Sequence, residues 1–240
     1  GLNDADLTMS LIDDLESKIQ EIIKYSWDTR KGRVVPDTST LAFKSTAVSL
    51  ERATVLYADL RGSTQLVQNN KWWYAAEVYK AFLYCSARMI RSKGGTITSY
   101  DGDRIMAIFV GDSQTSDAAR AALKINYAVT KLINPAFEKR YTDHAEITHG
   151  VGIYTSPLLA VKTGAREDHD LVWIGRAANF AAKLSEAKGD AATWVSKEAY
   201  ERIQKAVKFT DDGQAMWKSY SWTEFDDRQI YGSTWDWGGA

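Results

Sequence analysis

Residues 53–64, ATVLYADLRGST, decide the reading of this chain. Ala53 to Leu60 is a β-branched, aliphatic and aromatic run of the kind that forms a buried strand. The strand ends at an acid, Asp59, and passes into Arg61-Gly62-Ser63-Thr64, a small-residue turn opening a helix with Ser63 or Thr64 as the expected N-cap. Such a turn points unpaired backbone N–H groups outward, which suits an anion.

Downstream, a helical pattern through Trp72, Ala76, Tyr79, Leu83, Ala87 and Ile90 stops at Gly94-Gly95. Two strands follow, Thr96 to Tyr100 and Ile105 to Val110, joined by Asp101-Gly102-Asp103, an Asp-Gly hairpin signal. A second helix, Ser116 to Ile133, turns Ala118, Ala121, Ala122, Ile125, Ala128, Val129 and Leu132 to one side, and strands at Ala145 to Tyr154 and Leu171 to Ile174 come next. The order is βαββαβ, so the fold class is α+β with a ferredoxin-like core. A helix at Ala177 to Glu186, a strand around Trp194 and a helix from Lys197 extend it, and the tail after Phe209 carries Trp222, Trp235 and Trp237 without a clear pattern. Upstream, Leu7, Leu11, Leu15, Ile19 and Ile22 or Ile23 mark an amphipathic helix reaching about Trp27, followed by an extended connector through Pro36. Residues 1–44 therefore stand apart from a main domain at 45–240. The helix reads equally as a dimer contact, a regulatory arm or an element packed on that domain.

Composition narrows the function. Among 240 residues the formal net charge is -1, which argues against nucleic acid as the main partner and against direct membrane contact. One cysteine, Cys85, excludes an intrachain disulfide and reads as a small core residue. No apolar run is long enough to span a membrane, and Gly1 to Asp6 lacks a signal-peptide pattern, so a cytoplasmic location is expected. His144, His149 and His169 show no metal-ligand spacing.

Asp59 and Asp103 carry the chemistry. Taken singly, Asp59 reads as a helix-capping acid and Asp103 as a turn residue. Neighbouring strands of a βαββαβ sheet, however, bring the two carboxylates together, and converging carboxylates favour hard divalent cations such as Mg²⁺ or Mn²⁺. A metal pair of that kind serves in-line displacement at phosphorus.

Three stretches taken together resemble the class III adenylyl and guanylyl cyclase domain: ATVLYADLRGST at 53–64, Gly94-Gly95 leading to DGDRIMA at 101–107, and GRAANFAAK at 175–183. The resemblance covers roughly Ser45 to Val207. It implies that Asp59 and Asp103, with the backbone of Leu60, hold two Mg²⁺ or Mn²⁺ ions. Leu60, Arg61, Gly62, Ser63 and Thr64 would cradle the phosphates. Asn179 would orient the ribose, and Lys183 stands where the family usually has a phosphate-stabilising arginine, keeping the charge without the planar fork. Lys218 is the candidate for the family's late triphosphate-binding lysine. The resemblance also implies a homodimer with its sites at the interface.

The base pocket departs from the purine-specific pattern. Ser99 stands where a lysine is usual and Val172 where adenylyl cyclases place aspartate, with Tyr100 and Trp173 beside them. Neither Ser99 nor Val172 makes a charged contact with adenine, which points to a smaller base. The combination resembles the bacterial pyrimidine cyclases of Pycsar antiphage systems, which make cyclic UMP or cyclic CMP for a separate effector. UTP is the expected substrate. The alternatives are a cytidylate cyclase, a purine cyclase with a rebuilt pocket, and a non-catalytic nucleotide-binding or dimerisation module.

Overall fold

The computed structural model describes residues 4–165 and 168–238, and the side chains of residues 4–9 and 168 are outside the description. The start of the Gly1 to Asp6 stretch, and the side chain of Leu7 in the apolar stripe, therefore lie beyond the described residues. Helix α1 (Asp4–Lys24) ends three residues short of Trp27. The connector after it is not wholly irregular: β1 (Asp28–Lys31) pairs in parallel with the start of β2 (Thr46–Leu60).

β2 begins seven residues earlier than the expected Ala53, at Thr46. Its apolar run is broken by Glu51 and Arg52, which made Ala53 look like the beginning. Both charges are exposed where the β2 register shifts between Leu50 and Ala53, so the strand continues through the irregularity. The turn at 61–64 opens a short helix, α2 (Ser63–Asn69), separate from α3 (Trp72–Ser92). The cap differs from the expected one: Gly62, in left-handed conformation with φ 70°, is the N-cap, and neither Ser63 nor Thr64 caps the helix. The buried stripe of α3 runs through Ala75, Val78, Phe82, Ser86 and Ile90, leaving Trp72 on solvent.

The hairpin forms as β3 (Thr96–Asp101) and β4 (Arg104–Phe109). α4 (Gln114–Tyr127) gives way to a π-helical turn at Ala128–Ile133, with Leu132 exposed, and then to α5 (Asn134–Arg140). β5 (His149–Ala165) and β6 (Asp168–Ile174) form an antiparallel pair ahead of α6 (Arg176–Ser185). β7 (Thr193–Ser196), α7 (Lys197–Arg202) and α8 (Lys205–Lys208) follow, and the tail resolves into an antiparallel hairpin of β8 (Lys218–Trp222) and β9 (Arg228–Ser233).

The strand order is β3-β4-β2-β5-β7-β9-β8, with β1 on β2 and β6 on β5. Its first four strands have the spatial order of a ferredoxin-like βαββαβ unit. Alternation along the strands divides the core between two faces. Leu56, Ala58 and Leu60 of β2 pack with α3 and α4 residues such as Phe82, Ala122 and Ile125. Ala53 and Val55 pack on the opposite face with Ala177, Ala181 and Leu184 of α6, and Tyr57 joins them. The tail tryptophans divide between the faces: Trp222 is buried in the α6-face cluster, and Trp235 and Trp237 are partly buried against the α3/α4-face cluster. Cys85 is half-buried beside the same core. Among the described residues no helix is long and apolar enough to cross a membrane.

Candidate active site

The site lies on the α6 face of the sheet. Two glycines on β5 allow α6 to lie directly on the strands. A Cβ at Gly150 would meet the Ser185 carbonyl oxygen at 1.9 Å, and one at Gly152 would meet that of Ala181 at 2.0 Å. No larger residue fits there without lifting the helix, so the two glycines fix the height of Asn179 and Lys183 above the sheet.

Asp59 faces this side two residues beyond Tyr57, paired across the sheet with Gly150 on β5 and Arg104 on β4. Asp103 sits at the adjoining hairpin turn. The two carboxylates stand close enough for the charge of Asp103 to act on Asp59. Asp59 is buried, and its Oδ1 and Asp103 Oδ2 are buried oxygens without a hydrogen-bond partner. The Asp59 carboxyl is raised to about 6, chiefly by burial and in part by the charges of Asp103 and Glu186, against the opposing pull of Arg104. Uncompensated buried carboxylate oxygens are costly, and a hard divalent cation is a group that would satisfy them. The pair therefore fits a metal on its own chemistry. No cluster of three or more acidic, histidine or cysteine side chains stands ready to hold one among the described residues, so further ligands would have to be backbone, water or substrate oxygens.

Beside the acids is an open cleft of about 570 Å³ lined by Tyr57, Ser99, Trp173, Asn179 and Lys183, with Thr98, Met106, Asp170 and Leu171 among its other walls. That volume suits a nucleotide-sized ligand. Lys183 Nζ sits 4.5 Å from the Phe225 ring centroid and 5.7 Å from that of Phe180, so aromatic faces hold the ammonium in place. Arg228 stacks on Phe180 from β9, with its guanidinium carbon 5.4 Å from the centroid, placing a second cation nearby.

Several expected site residues lie elsewhere. Tyr100 and Val172 do not line the cleft: each points to the opposite face and is about half exposed. Tyr100 pairs with Ile105, whose side chain belongs to the α3/α4 core, and Val172 is flanked by the cleft residues Leu171 and Trp173. Arg61 is committed to structure. Its backbone N–H donates to Thr148 O at 2.9 Å, and its guanidinium donates to Ala187 O and Ala191 O at 3.2 and 3.0 Å. Of the stretch expected to face an anion, Gly62, Ser63 and Thr64 stand at a helix start that no side chain caps. Lys218 begins β8, the edge strand farthest from β3, and does not line the cleft.

Sequence reasoning missed four residues here: Tyr57, Asp170, Arg104 and Arg228. For Tyr57 the signal was present, since it stands two positions before Asp59 and strand periodicity puts both on one face. Arg228 had none, because its approach depends on how the tail hairpin folds back.

The architecture is that of the nucleotide cyclases. The adenylyl cyclase CyaB from P. aeruginosa superposes with a TM-score of 0.62 at 22% identity, covering 78% of this chain and 95% of that one. The guanylyl cyclase Cya2 gives 0.65 at 17% identity, covering 79% and 94%. The chain belongs to the adenylate and guanylate cyclase catalytic domain family, whose model matches residues 46–225. It is similar over nearly its whole length to proteins named uridylate cyclase. The relative from Xanthomonas perforans is 44% identical over 95% of this chain and 99% of its own, that from Burkholderia cepacia is 44% identical over the same shares, and that from Rhodovulum is 36% identical over 92% and 94%.

Proposed function

We propose that this protein is a uridylate cyclase, a phosphorus–oxygen lyase that closes UTP into 3',5'-cyclic UMP and releases diphosphate. The observation that carries the cyclase chemistry is that one sheet face bears both halves of such a site, an orphaned aspartate pair and, beside it, a cleft with Asn179 and Lys183, halves that two facing copies would bring together. The choice of uridine rests on the named relatives and on Ser99 standing in the cleft wall where the purine-reading pattern has a lysine.

Asp59 and Asp103, with the Leu60 backbone, would hold two Mg²⁺ or Mn²⁺ ions. When bound, such ions acidify a ribose hydroxyl and neutralise charge on the leaving diphosphate. The chain's own residues do the rest. Gly62, Ser63 and Thr64 direct backbone N–H groups at the β- and γ-phosphates. Asn179 fixes the ribose so that its 3'-hydroxyl lies in line with the α-phosphate. Lys183 supplies positive charge where the pentavalent phosphorus develops negative charge. Tyr57, Thr98 and Ser99 offer hydroxyls, and Trp173 an aromatic wall, to a small base. Asp59 and Asp103 lie beside the cleft rather than among its lining residues. This suits a head-to-tail homodimer in which the acids of one copy face Asn179 and Lys183 of the other. In a cytoplasmic defence setting the product would act on a separate cyclic-nucleotide effector.

Incubation with each of the four ribonucleoside triphosphates and Mn²⁺, followed by mass identification of products, tests the reading. Cyclic UMP as the main product is expected. Cyclic CMP or a cyclic purine nucleotide overturns the substrate assignment, and no cyclic product from any of the four overturns the enzyme.

A further inference from the structure

Arg104 has no part in the chemistry described above, yet it makes the closest charged contact to the candidate metal site. The antiparallel register places it opposite Asp59. Its Nε lies 3.2 Å from Asp59 Oδ2, and its Nη2 lies 3.0 Å from Glu186 Oε1, at the C-terminal end of α6. One guanidinium thus bridges two acids of different character. The Asp59 side chain is 11% exposed, whereas that of Glu186 is 55% exposed and that of Arg104 40%. Asp59 keeps its Oδ1 unpartnered even with Arg104 in place, so the arginine covers the Oδ2 edge of the carboxylate and leaves the other edge without a partner.

A guanidinium held on a buried carboxylate does part of a metal ion's work, supplying positive charge to a group that cannot reach water. It also opposes a metal, because like charges at that range repel in a partly buried site. An arginine with a second, solvent-accessible acid already in contact has somewhere to go. We propose that Arg104 is a resident counter-cation that covers Asp59 in the metal-free chain, and that Glu186 is the partner that retains it when divalent ions bind, so that the Arg104–Glu186 pair sets the affinity of the metal site. Arg104 is on this account a positioning residue. The inference rests on reading Asp59 and Asp103 as metal acids.

The test is Mn²⁺ binding to the full chain without nucleotide, read from the electron paramagnetic resonance signal of free Mn²⁺. Arg104→Gln should bind at least about threefold tighter than wild type, and Glu186→Gln at least about threefold weaker, as expected for directly coupled neighbours. In the Arg104→Gln background, adding Glu186→Gln should change little, because Glu186 acts through the arginine. Arg104→Lys keeps the charge and should bind no tighter than wild type; a gain as large as that of glutamine would mean repacking and overturn the inference. So would unchanged affinity in Arg104→Gln, or an equal effect of Glu186→Gln in both backgrounds. A saturable Mn²⁺ site lost in Asp59→Asn but indifferent to Arg104 overturns this inference alone. If wild type has no such site, the metal reading falls with it.

Discussion

Where β2 and β5 meet, two ionisable side chains stand on opposite faces of the sheet, and their environments differ instructively. His149, paired with Leu60, lies on the α3/α4 face with its ring 5.9 Å from Phe82 and its Nε2 without a partner. Burial, reinforced by the positive charge of Arg61, pushes its pKa down to about 3, so it stays neutral. Asp59, one residue from Leu60, lies on the α6 face and is also raised by burial, but it is set among Arg104, Asp103 and Glu186. The histidine has only apolar packing and one repelling cation, so its charge state is fixed. The aspartate has partners of both signs beside an open cleft, so its charge state can respond to ligands. Burial alone marks a structural group, and burial within a charged, accessible cluster marks a functional one.

The sharpest way to break this contrast is by turnover. Asp59→Asn or Asp103→Asn should lower kcat by about 10³-fold or more, since metal charge stabilisation is worth several kcal/mol. His149→Leu, on the other face, should cost less than about tenfold, which is under about 1.4 kcal/mol at the chemical step. Steady-state assays of the purified variants decide it.

Stability against pH sharpens the contrast because the two groups act with opposite sign. Native Asp59 keeps its proton to about pH 6, whereas the unfolded side chain releases it near 3.8, so metal-free stability falls as pH rises across that window. The full effect is about 3 kcal/mol, and Asp59→Asn should remove it in denaturant melts from pH 4 to 7. Native His149 refuses a proton down to about 3, whereas the unfolded imidazole accepts one below 6.5, so stability falls as pH drops below 6.5. Between pH 7 and pH 5 that term is about 2 kcal/mol, and His149→Leu should flatten it. A smaller effect is expected from the floor of the site. Gly152→Ala must displace the Ala181 carbonyl and should cost about 1–3 kcal/mol by thermal melting, with loss of turnover as α6 lifts.

Much of this was legible in the sequence. The βαββαβ order followed from hydrophobic periodicity and the Asp-Gly hairpin, and the nearness of Asp59 to Asp103 followed from that order. Side-chain direction was harder. Tyr100 and Val172 face away from the cleft for different reasons: in β3 a register shift between Ile97 and Ser99 resets the alternation and sets Thr98 and Ser99 together in the cleft, whereas in β6 plain alternation gives Leu171 and Trp173 to the cleft and turns Val172 between them to the other face. Arg61 looked like a phosphate ligand because it follows a strand-terminal acid; its carbonyl partners, Ala187 and Ala191, lie in a loop far along the chain. The role of Gly150 and Gly152 became visible only with α6 in place.

Each active site is proposed to lie between two copies of the chain, and complementation tests that most directly. Asp59→Asn and Lys183→Ala chains, each inactive alone, should recover roughly a quarter of wild-type specific activity when mixed and allowed to exchange, because half the dimers are mixed and each carries one intact site. Mixed dimers that form and remain inactive would show that the acids and the lysine serve the same site from one chain.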